Sequence, residues 1–286
     1  MKGFNNNGNT CYLNAGLQMV IQNEELCKLV LKYSDKSIIL NKFSVIILEY
    51  YNKQTGLINP FEIKKIVEKK QEIFRGNGQQ DSGEFIMCFL DIIEEEIKKI
   101  ENDSKEIENI FGINLNCRIK CKYNKCLKIY NNFEITNFLI LDLDKNCATL
   151  DDLYRKFKGS EILSDENKYH CENCNAKRII SKRYQVIKWP MYLLICLKRF
   201  NQSGRTISKQ THPININLSW RHNMSLFGAV IHSGNINGGH YVYVGRQSDN
   251  KWYLFNDTNV SEIKTEQELI NILNNAYWLM YKMVTV

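Results

Sequence analysis

Long hydrophobic segments are absent from this chain of 286 residues. Its longest apolar stretch, MYLLICL at residues 191–197, is far shorter than the roughly 20 residues that a membrane-spanning helix needs. The start, MKGFNNNGNT, has no apolar run after its lysine, whereas a secretory signal requires one. We therefore expect a soluble, intracellular protein, cytoplasmic or nuclear, that makes no membrane contact.

Internal repeats, linkers and low-complexity tracts are also absent, and 44% of the residues are hydrophobic, enough to bury a large core. The first hundred residues show helical spacing of apolar positions, whereas short β-rich runs follow Phe111. Near the C-terminus, MSLFGAVIHSG, HYVYVGR, KWYLFND and AYWLMYKM predict four strands. This order of elements predicts one α+β domain.

The net charge of +7 comes from 38 Lys and Arg residues against 31 Asp and Glu residues. The lysines are dispersed and mixed with acidic residues, as in KKIVEKKQE, which is typical of solvated helix faces. We therefore expect no nucleic-acid partner, and we expect a monomer.

Ten cysteines in a chain of this length without a secretory signal favour free thiols, metal ligands or a nucleophile over disulfides. The sequence CENC at residues 171–174 has the spacing of a metal knuckle. The sequence CRIKCKYNKC offers Cys117, Cys121 and Cys126, and two of these three thiolates would complete a tetrahedral zinc site.

Cys11 follows a turn rich in asparagine and stands where an apolar helical pattern begins. A thiol at the N-terminal end of a helix lies in the positive part of the helix dipole, which predicts a lowered pKa and a nucleophilic thiolate. The alternative interpretation is a buried structural cysteine beside a polar cap.

A base for this thiol is present in NINGGHYVYV, where His240 follows two glycines at the head of a strand. The strand KWYLFND then ends in Asn256 and Asp257, either of which can orient the imidazole if the two strands form a hairpin. Cysteine, histidine and an Asn or Asp in this order form a papain-like catalytic set.

With these residues, the chain resembles the ubiquitin-specific proteases. The segment GFNNNGNTCYLNAGLQ is similar to the cysteine box of that family, and GGHYVYV followed by WYLFND is similar to its histidine box. Between them, QQDSGEF, YHCENC and LLICLKRF resemble other family blocks. The resemblance covers Gly3 to about Met283. It implies a papain-like cysteine protease fold with a helical thumb at about 1–110, β-rich fingers at about 111–185 and a palm sheet at about 186–286.

The resemblance also implies the activity, hydrolysis of the bond after the C-terminal glycine of ubiquitin. The catalytic triad that it implies is Cys11, His240 and Asn256. Asn6 matches the asparagine of the oxyanion hole, and Asp257 is a neighbour that shares the third role.

Other matching positions imply substrate and metal sites. Asp81 and Glu84, which also form a capping pattern, match positions that engage the basic tail of ubiquitin. Gly238 and Gly239 match a narrow passage that admits the Gly-Gly end of that tail. The expected ligands of one structural zinc are four cysteines, of which the first pair is separated by four residues instead of the usual two: Cys121, Cys126, Cys171 and Cys174.

Three departures from the family pattern keep alternatives open. Asn7 stands where leucine is usual, Gly83 weakens the first turn of its helix, and the third triad residue is Asn256 instead of aspartate. One alternative is therefore a ubiquitin-binding pseudoprotease with a misaligned turn, and another is a protease for a related modifier. A zinc-ribbon nucleic-acid binder is a third alternative, but such a protein needs no catalytic set.

Overall fold

Helices dominate the first part of the chain in the computed structural model, which describes residues 1–52, 56–203, 206–235 and 238–284. The described residues before position 112 form six α-helices: α1 (Cys11–Ile21), α2 (Glu24–Tyr33), α3 (Ile38–Tyr51), α4 (Phe61–Lys70), α5 (Ser82–Ile100) and α6 (Glu106–Phe111). None of the described helices is both long enough and apolar enough to cross a bilayer.

Helix α1 is the central helix of this part, and every one of its residues is buried. It begins at Cys11, as predicted, and its polar side chains are satisfied by hydrogen bonds such as that from Gln18 Nε2 to the carbonyl oxygen of Lys2, 2.8 Å long. Helix α5 packs on α1 and begins after Asp81, whose side chain caps the first turn. The predicted cap at Asp81 is therefore confirmed.

Strands occupy most of the remaining described chain. They are β1 (Ile113–Cys121), β2 (Ile129–Thr136), β3 (Phe138–Asp142), β4 (Glu161–Leu163), β5 (Tyr169–Cys171), β6 (Ala176–Arg178), β7 (Ile180–Lys188), β8 (Tyr192–Lys198), β9 (Phe200–Ser203), β10 (Thr206–Lys209), β11 (Ser219–Trp220), β12 (Met224–Gly234), β13 (Gly239–Arg246), β14 (Trp252–Asn256), β15 (Asn259–Ile263) and β16 (Ala276–Met283). Two further helices, α7 (Leu150–Phe157) and α8 (Glu266–Leu273), lie among them.

The described strands form two larger sheets. The first has the order β2-β1-β7-β4, and the second has the order β15-β14-β13-β12-β16-β8-β3 with β11 paired to β12. The hairpins β5-β6 and β9-β10 stand apart. The four strands predicted near the C-terminus are present as β12, β13, β14 and β16, all in the second sheet.

The second sheet is covered on both faces. One hydrophobic cluster joins one face of the sheet to α1, α3 and α5, and another joins the opposite face to α7 and α8. Helix α1 packs against β13 and β14, and Asn14 in its first turns contacts Asp257, which directly follows β14. The expected bounds of thumb, fingers and palm stay a prediction, and β3, from the range expected for the fingers, pairs with β8 in the second sheet.

Candidate active site

The turn before α1 is organised around the side chain of Asn6. Its Oδ1 accepts hydrogen bonds from the backbone N–H groups of Gly8 and Thr10, both at 3.1 Å, and from the Thr10 hydroxyl at 3.0 Å. Gly8 and Asn9 have positive φ angles, +91° and +52°, a conformation that glycine and asparagine adopt most readily. The composition of this segment is therefore what allows so tight a turn.

Two other asparagines fasten the same turn to its neighbours. Asn7 Nδ2 donates to Asn59 Oδ1 at 3.2 Å, and Asn9 Nδ2 donates to the carbonyl oxygen of Asn77 at 2.8 Å. Asn7, which departs from the family pattern, therefore has a polar partner in this chain. A leucine at this position would leave Asn59 Oδ1 without that donor.

Cys11 is the first residue of α1, and its side chain is buried. Burial raises the pKa of the Cys11 thiol, and the nearby carboxylate of Asp257 raises it further. The backbone N–H groups of Tyr241 and Tyr12 act in the opposite direction without overcoming the burial. The predicted lowering of this pKa by the helix terminus is thus wrong, because loss of hydration outweighs the helix dipole.

His240 and Asn256 come together at the end of the β13–β14 hairpin, as expected. His240 Nε2 and Asn256 Oδ1 are 2.7 Å apart. With the amide oxygen as acceptor, Nε2 carries the proton and Nδ1 is left to accept one. The backbone N–H of Tyr241, the residue after His240, contacts the Cys11 sulfur, so β13 passes the thiol at the position next to His240.

Asp257 has a different set of partners. Its Oδ2 accepts from Asn6 Nδ2 at 2.8 Å, and its Oδ1 accepts from Asn14 Nδ2 at 2.7 Å. Asp257 has a positive φ of +50° in the turn between β14 and β15, and Phe4 N–H donates to its carbonyl oxygen at 2.9 Å. A Cβ atom on Gly3 would lie 2.4 Å from that oxygen, so glycine is needed for this approach.

The contact between Asp257 and Asn6 was missed by sequence reasoning, which expected Asp257 to share with Asn256 the role of orienting the imidazole. The role of Asn14, one turn into α1, was also missed. The NNNGNT turn carries no signal for either contact, because both depend on how the N-terminal segment meets the β14–β15 turn.

Asp81 is surrounded by hydrogen-bond donors. Its Oδ1 accepts from the backbone N–H groups of Gly83 and Glu84 and from the Tyr277 hydroxyl, at 2.7, 3.0 and 3.0 Å. Its Oδ2 accepts from the Tyr241 hydroxyl at 3.0 Å. These four bonds fix both tyrosines and use much of the accepting capacity of the carboxylate.

Glu84 lies one turn further along and is exposed, with no described hydrogen-bond partner for its carboxylate. Partial desolvation by the surrounding protein, and then the charge of Asp81, raise the pKa of Glu84. A cation placed beside this side chain would reverse that shift, because it would favour the ionised form. Of the two acidic residues, Glu84 is therefore the one left with capacity for a basic ligand.

Asp81 and Glu84 line a cavity of about 600 Å³ between α5 and the second sheet. Its walls also include side chains from both sides of the cleft: Gln79, Met87, Cys196, His232, Tyr241, Tyr277 and Trp278. The indole nitrogen of Trp278 lies only 2.2 Å from where a Cβ on Gly83 would be. Gly83, a departure from the family pattern, therefore makes room for this indole.

Gly239 forms one edge of the same cleft. There is no space for a side chain at this position, because a Cβ on Gly239 would lie 2.1 Å from His232 Nε2 and 2.6 Å from the carbonyl oxygen of Ser233. The Gln79 side chain holds this backbone from the other side, with its Oε1 accepting from Gly239 N–H at 3.1 Å. Gly238, in contrast, has open space where its Cβ would be.

A second site lies at the far end of the first sheet. The sulfur atoms of Cys121, Cys126, Cys171 and Cys174 all lie within 4.8 Å of one another. The Cys121–Cys174 and Cys126–Cys171 sulfur pairs are 4.0 and 3.8 Å apart, close to the roughly 3.8 Å that four thiolates at 2.3 Å from a tetrahedral zinc require. Cys117 lies instead on the buried face of β1 beside Ile119, outside the cluster.

Comparisons with known proteins agree with this geometry. The profile of the ubiquitin carboxyl-terminal hydrolase family matches residues 2–281. The chain belongs to the ubiquitin carboxyl-terminal hydrolase family. This membership confirms the resemblance to the ubiquitin-specific proteases.

Two relatives of this hydrolase family match almost the whole chain. The probable ubiquitin carboxyl-terminal hydrolase 16 of Schizosaccharomyces pombe is 29% identical over 313 residues, which are 98% of this chain and 66% of the relative. Ubiquitin carboxyl-terminal hydrolase 17 of Arabidopsis thaliana is 26% identical over 306 residues, 98% of this chain and 41% of the relative. The chain thus spans only about two fifths to two thirds of the length of these relatives.

Solved structures share the fold. A chain of the SAGA DUB module of Ubp8, Sgf11, Sus1 and Sgf73 bound to monoubiquitin superposes with a TM-score of 0.82 at 25% identity, covering all of this chain and 70% of that one. The same module bound to ubiquitin aldehyde also gives a TM-score of 0.82, at 23% identity. The predicted papain-like α+β fold of a ubiquitin carboxyl-terminal hydrolase is confirmed.

Proposed function

We propose that this chain is a cysteine-type deubiquitinase that hydrolyses the isopeptide or peptide bond after the C-terminal glycine of ubiquitin. The observation that carries the proposal is the 2.7 Å contact between His240 Nε2 and Asn256 Oδ1. His240 lies on β13, and the backbone N–H of the next residue, Tyr241, contacts the Cys11 sulfur. Family membership and the ubiquitin bound to the matching solved structures support the same substrate.

In the proposed reaction, Cys11 begins as a thiol, because burial raises its pKa. His240 Nδ1 takes the thiol proton as the sulfur attacks the carbonyl carbon of the substrate glycine, and Asn256 stabilises the ring in the required tautomer. The imidazolium then donates the proton to the departing amine. Water, activated by the same imidazole, hydrolyses the thioester and releases the carboxylate.

The developing oxyanion would be stabilised by Asn6. An amide nitrogen has two hydrogens, and Asp257 accepts only one of those on Asn6 Nδ2, so the second is available to the substrate. Its carbonyl end is fixed by three donors from the turn. A preorganised donor of this kind contributes about 3 kcal/mol to the stability of a transition state.

The tail of ubiquitin would run along the cleft beside the hydrogen-bonded pair Gln79 and Gly239. A Gly-Gly segment fits where the backbone of Gly239 is already crowded, and the exposed Glu84 carboxylate would pair with a basic residue upstream of it. Asp81 would act mainly by positioning Tyr241 and Tyr277 along the wall.

We also propose that the four-cysteine cluster binds one structural zinc. Four sulfur donors and the near-tetrahedral spacing of the thiols suit this ion better than an oxygen-preferring metal. The metal would join the β1–β2 turn to the β5–β6 hairpin, because each contributes two cysteines. It would stabilise this end of the sheet and take no part in the reaction.

Capture by ubiquitin carrying a C-terminal electrophile tests the proposal. We expect an adduct of one ubiquitin per chain, mapped to Cys11, with wild type and with Asn256→Ala, and none with Cys11→Ala. A pseudoprotease with a misaligned site would bind ubiquitin without forming the adduct. Faster capture by a related modifier carrying the same electrophile would show that this modifier, and not ubiquitin, is the substrate. The hydrogen bond from Asn7 to Asn59 argues against a misaligned turn.

A further inference from the structure

Positive charge is concentrated at the end of the first sheet, in a region that we call the fingertip (residues 117–128 and 168–183). The fingertip contains ten Lys and Arg residues but only one acidic residue, Glu172. Since the whole chain carries a net charge of +7, the rest of the molecule has a net charge of about −2. The four-cysteine cluster brings the two segments together, because Cys121 and Cys126 meet Cys171 and Cys174.

The cations of the fingertip form no ion pairs among the described residues. Elsewhere, surface lysines form ion pairs with carboxylates, as in the Lys156–Asp144 pair at 2.7 Å. In the fingertip, Arg118 on β1 lies directly opposite Arg183 on β7, an arrangement of like charges that destabilises a sheet. The ten cations exceed what Glu172 and a zinc held by four thiolates can neutralise, which points to an anion supplied from outside the chain.

The fingertip also contains a concave site. A cavity of about 450 Å³ is lined by Lys122, Lys168, Lys177 and Arg178, together with Tyr123 and Asn124. The Arg178 guanidinium lies 4.2 Å from the centre of the Tyr123 ring. Its side chain also contacts the Cys174 thiol, whereas Arg178 Nε is buried without a hydrogen-bond partner in the described structure. Tyr123 remains 37% exposed, so part of its ring is available to a ligand.

We propose that the fingertip binds single-stranded nucleic acid. Lysines and arginine without carboxylate partners suit phosphates, while the Tyr123–Arg178 pair offers a platform on which a base can stack. An acidic peptide would use the cations but would have no need of the ring. The spread of ten cations beyond the cavity suits a polymer better than a free nucleotide.

This inference goes beyond the proposed hydrolase and does not depend on it. It also reverses the expectation from sequence that the lysines are dispersed. Residues 117–128 and 168–183 are forty positions apart, and the clustering of Cys121, Cys126, Cys171 and Cys174, which the sequence predicts, is what combines their charges.

Fluorescence anisotropy of a labelled 20-nucleotide oligo(dT) or oligo(U) across a series of salt concentrations tests the proposal. Lys122→Gln/Lys168→Gln/Lys177→Gln should weaken binding at least about tenfold at low salt. It should also make the slope of log K against log salt shallower by about 2, because three phosphate contacts are lost. Tyr123→Ser should weaken binding while the slope is retained, because it removes stacking and no charge.

The matched control is Lys36→Gln/Lys105→Gln/Lys145→Gln, which removes the same charge from exposed lysines without ion pairs in the described structure. We expect this control to retain at least half of the wild-type affinity. Equal losses in both triple variants would overturn the proposal, as would undetectable binding by wild type at low salt. Equally tight binding of a poly-glutamate peptide would also overturn it, because the surface would then recognise negative charge on a protein. Unchanged metal content and thermal stability in every variant establish that each remains folded.

Discussion

Asn6 and Asp257 are 251 positions apart in the sequence, and their side chains form a hydrogen bond of 2.8 Å. This bond, with the one from Asn14 to the same carboxylate, makes Asp257 a support for the proposed oxyanion donor. Asn256, next to it, contacts His240 instead. Two adjacent residues therefore contact two different groups of the proposed site.

A double-mutant cycle on Asn6 and Asp257 separates these roles. Asn6→Ala should lower kcat by roughly 100-fold, the effect of losing one oxyanion donor. Asp257→Ala should lower kcat less than Asn256→Ala, because the ring keeps its partner. The double variant Asn6→Ala/Asp257→Ala should be no slower than Asn6→Ala alone. Fully additive losses in hydrolysis of a fluorogenic ubiquitin amide would show that Asp257 acts independently of Asn6.

The pH dependence of ubiquitin binding tests Glu84. The pKa of Glu84 is raised in the free protein, and a basic residue of bound ubiquitin would lower it. Binding of ubiquitin therefore favours the ionised carboxylate. Affinity should therefore be full above that raised pKa and should fall about two- to fivefold as the pH decreases through it. Glu84→Gln should bind at the weaker level throughout. Calorimetry with Cys11→Ala avoids turnover, and an identical pH profile in Glu84→Gln would exclude the carboxylate from the contact.

At the scale of elements, the site depends on how closely α1, α5 and the β13–β14 hairpin approach one another. Gly239 lies between Gln79 and His232 and is close to both, whereas its neighbour Gly238 has open space. The two glycines look equivalent in the sequence. Their different surroundings provide a matched pair of substitutions.

Gly239→Ala should destabilise the protein by about 1–3 kcal/mol, because its Cβ would overlap His232 Nε2 and the backbone of Ser233. That corresponds to a decrease in Tm of roughly 2–5 °C for a domain of this size. Gly238→Ala should change Tm by less than about 2 °C. Equal Tm values for the two variants in a thermal melt would contradict the close packing at Gly239.

The proposed zinc site at the four-cysteine cluster provides a second test at this scale. Elemental analysis of protein purified without chelator should find about one zinc per chain. Cys171→Ser/Cys174→Ser should lose the metal and decrease Tm by more than about 5 °C, because the β5–β6 hairpin has little apolar core of its own. Alkylation of Cys11 should continue at the wild-type rate, and Cys117→Ala should retain the metal. Well under one zinc per chain in wild type would make the cluster a metal-free group of thiols.

At the scale of the whole molecule, elements set by local sequence patterns could be predicted, whereas contacts between distant segments could not. The start of α1 at Cys11, the cap at Asp81 and the strands β12 and β16 follow from spacing and capping within a few residues. The raised pKa of Cys11 could not be predicted in this way, because it depends on burial by distant segments. The same holds for the hydrogen bond between Asp257 and Asn6.

The most direct test of the proposed function is hydrolysis of ubiquitin joined through its C-terminal glycine to a fluorogenic amine, with binding measured in parallel. Wild type should release the fluorophore catalytically. Cys11→Ala should release none above background while binding ubiquitin within about threefold of wild type, because the thiol supplies the nucleophile and little contact area. Turnover by Cys11→Ala at a rate near that of wild type would contradict the assignment of Cys11 as the nucleophile and, with it, the account of this site.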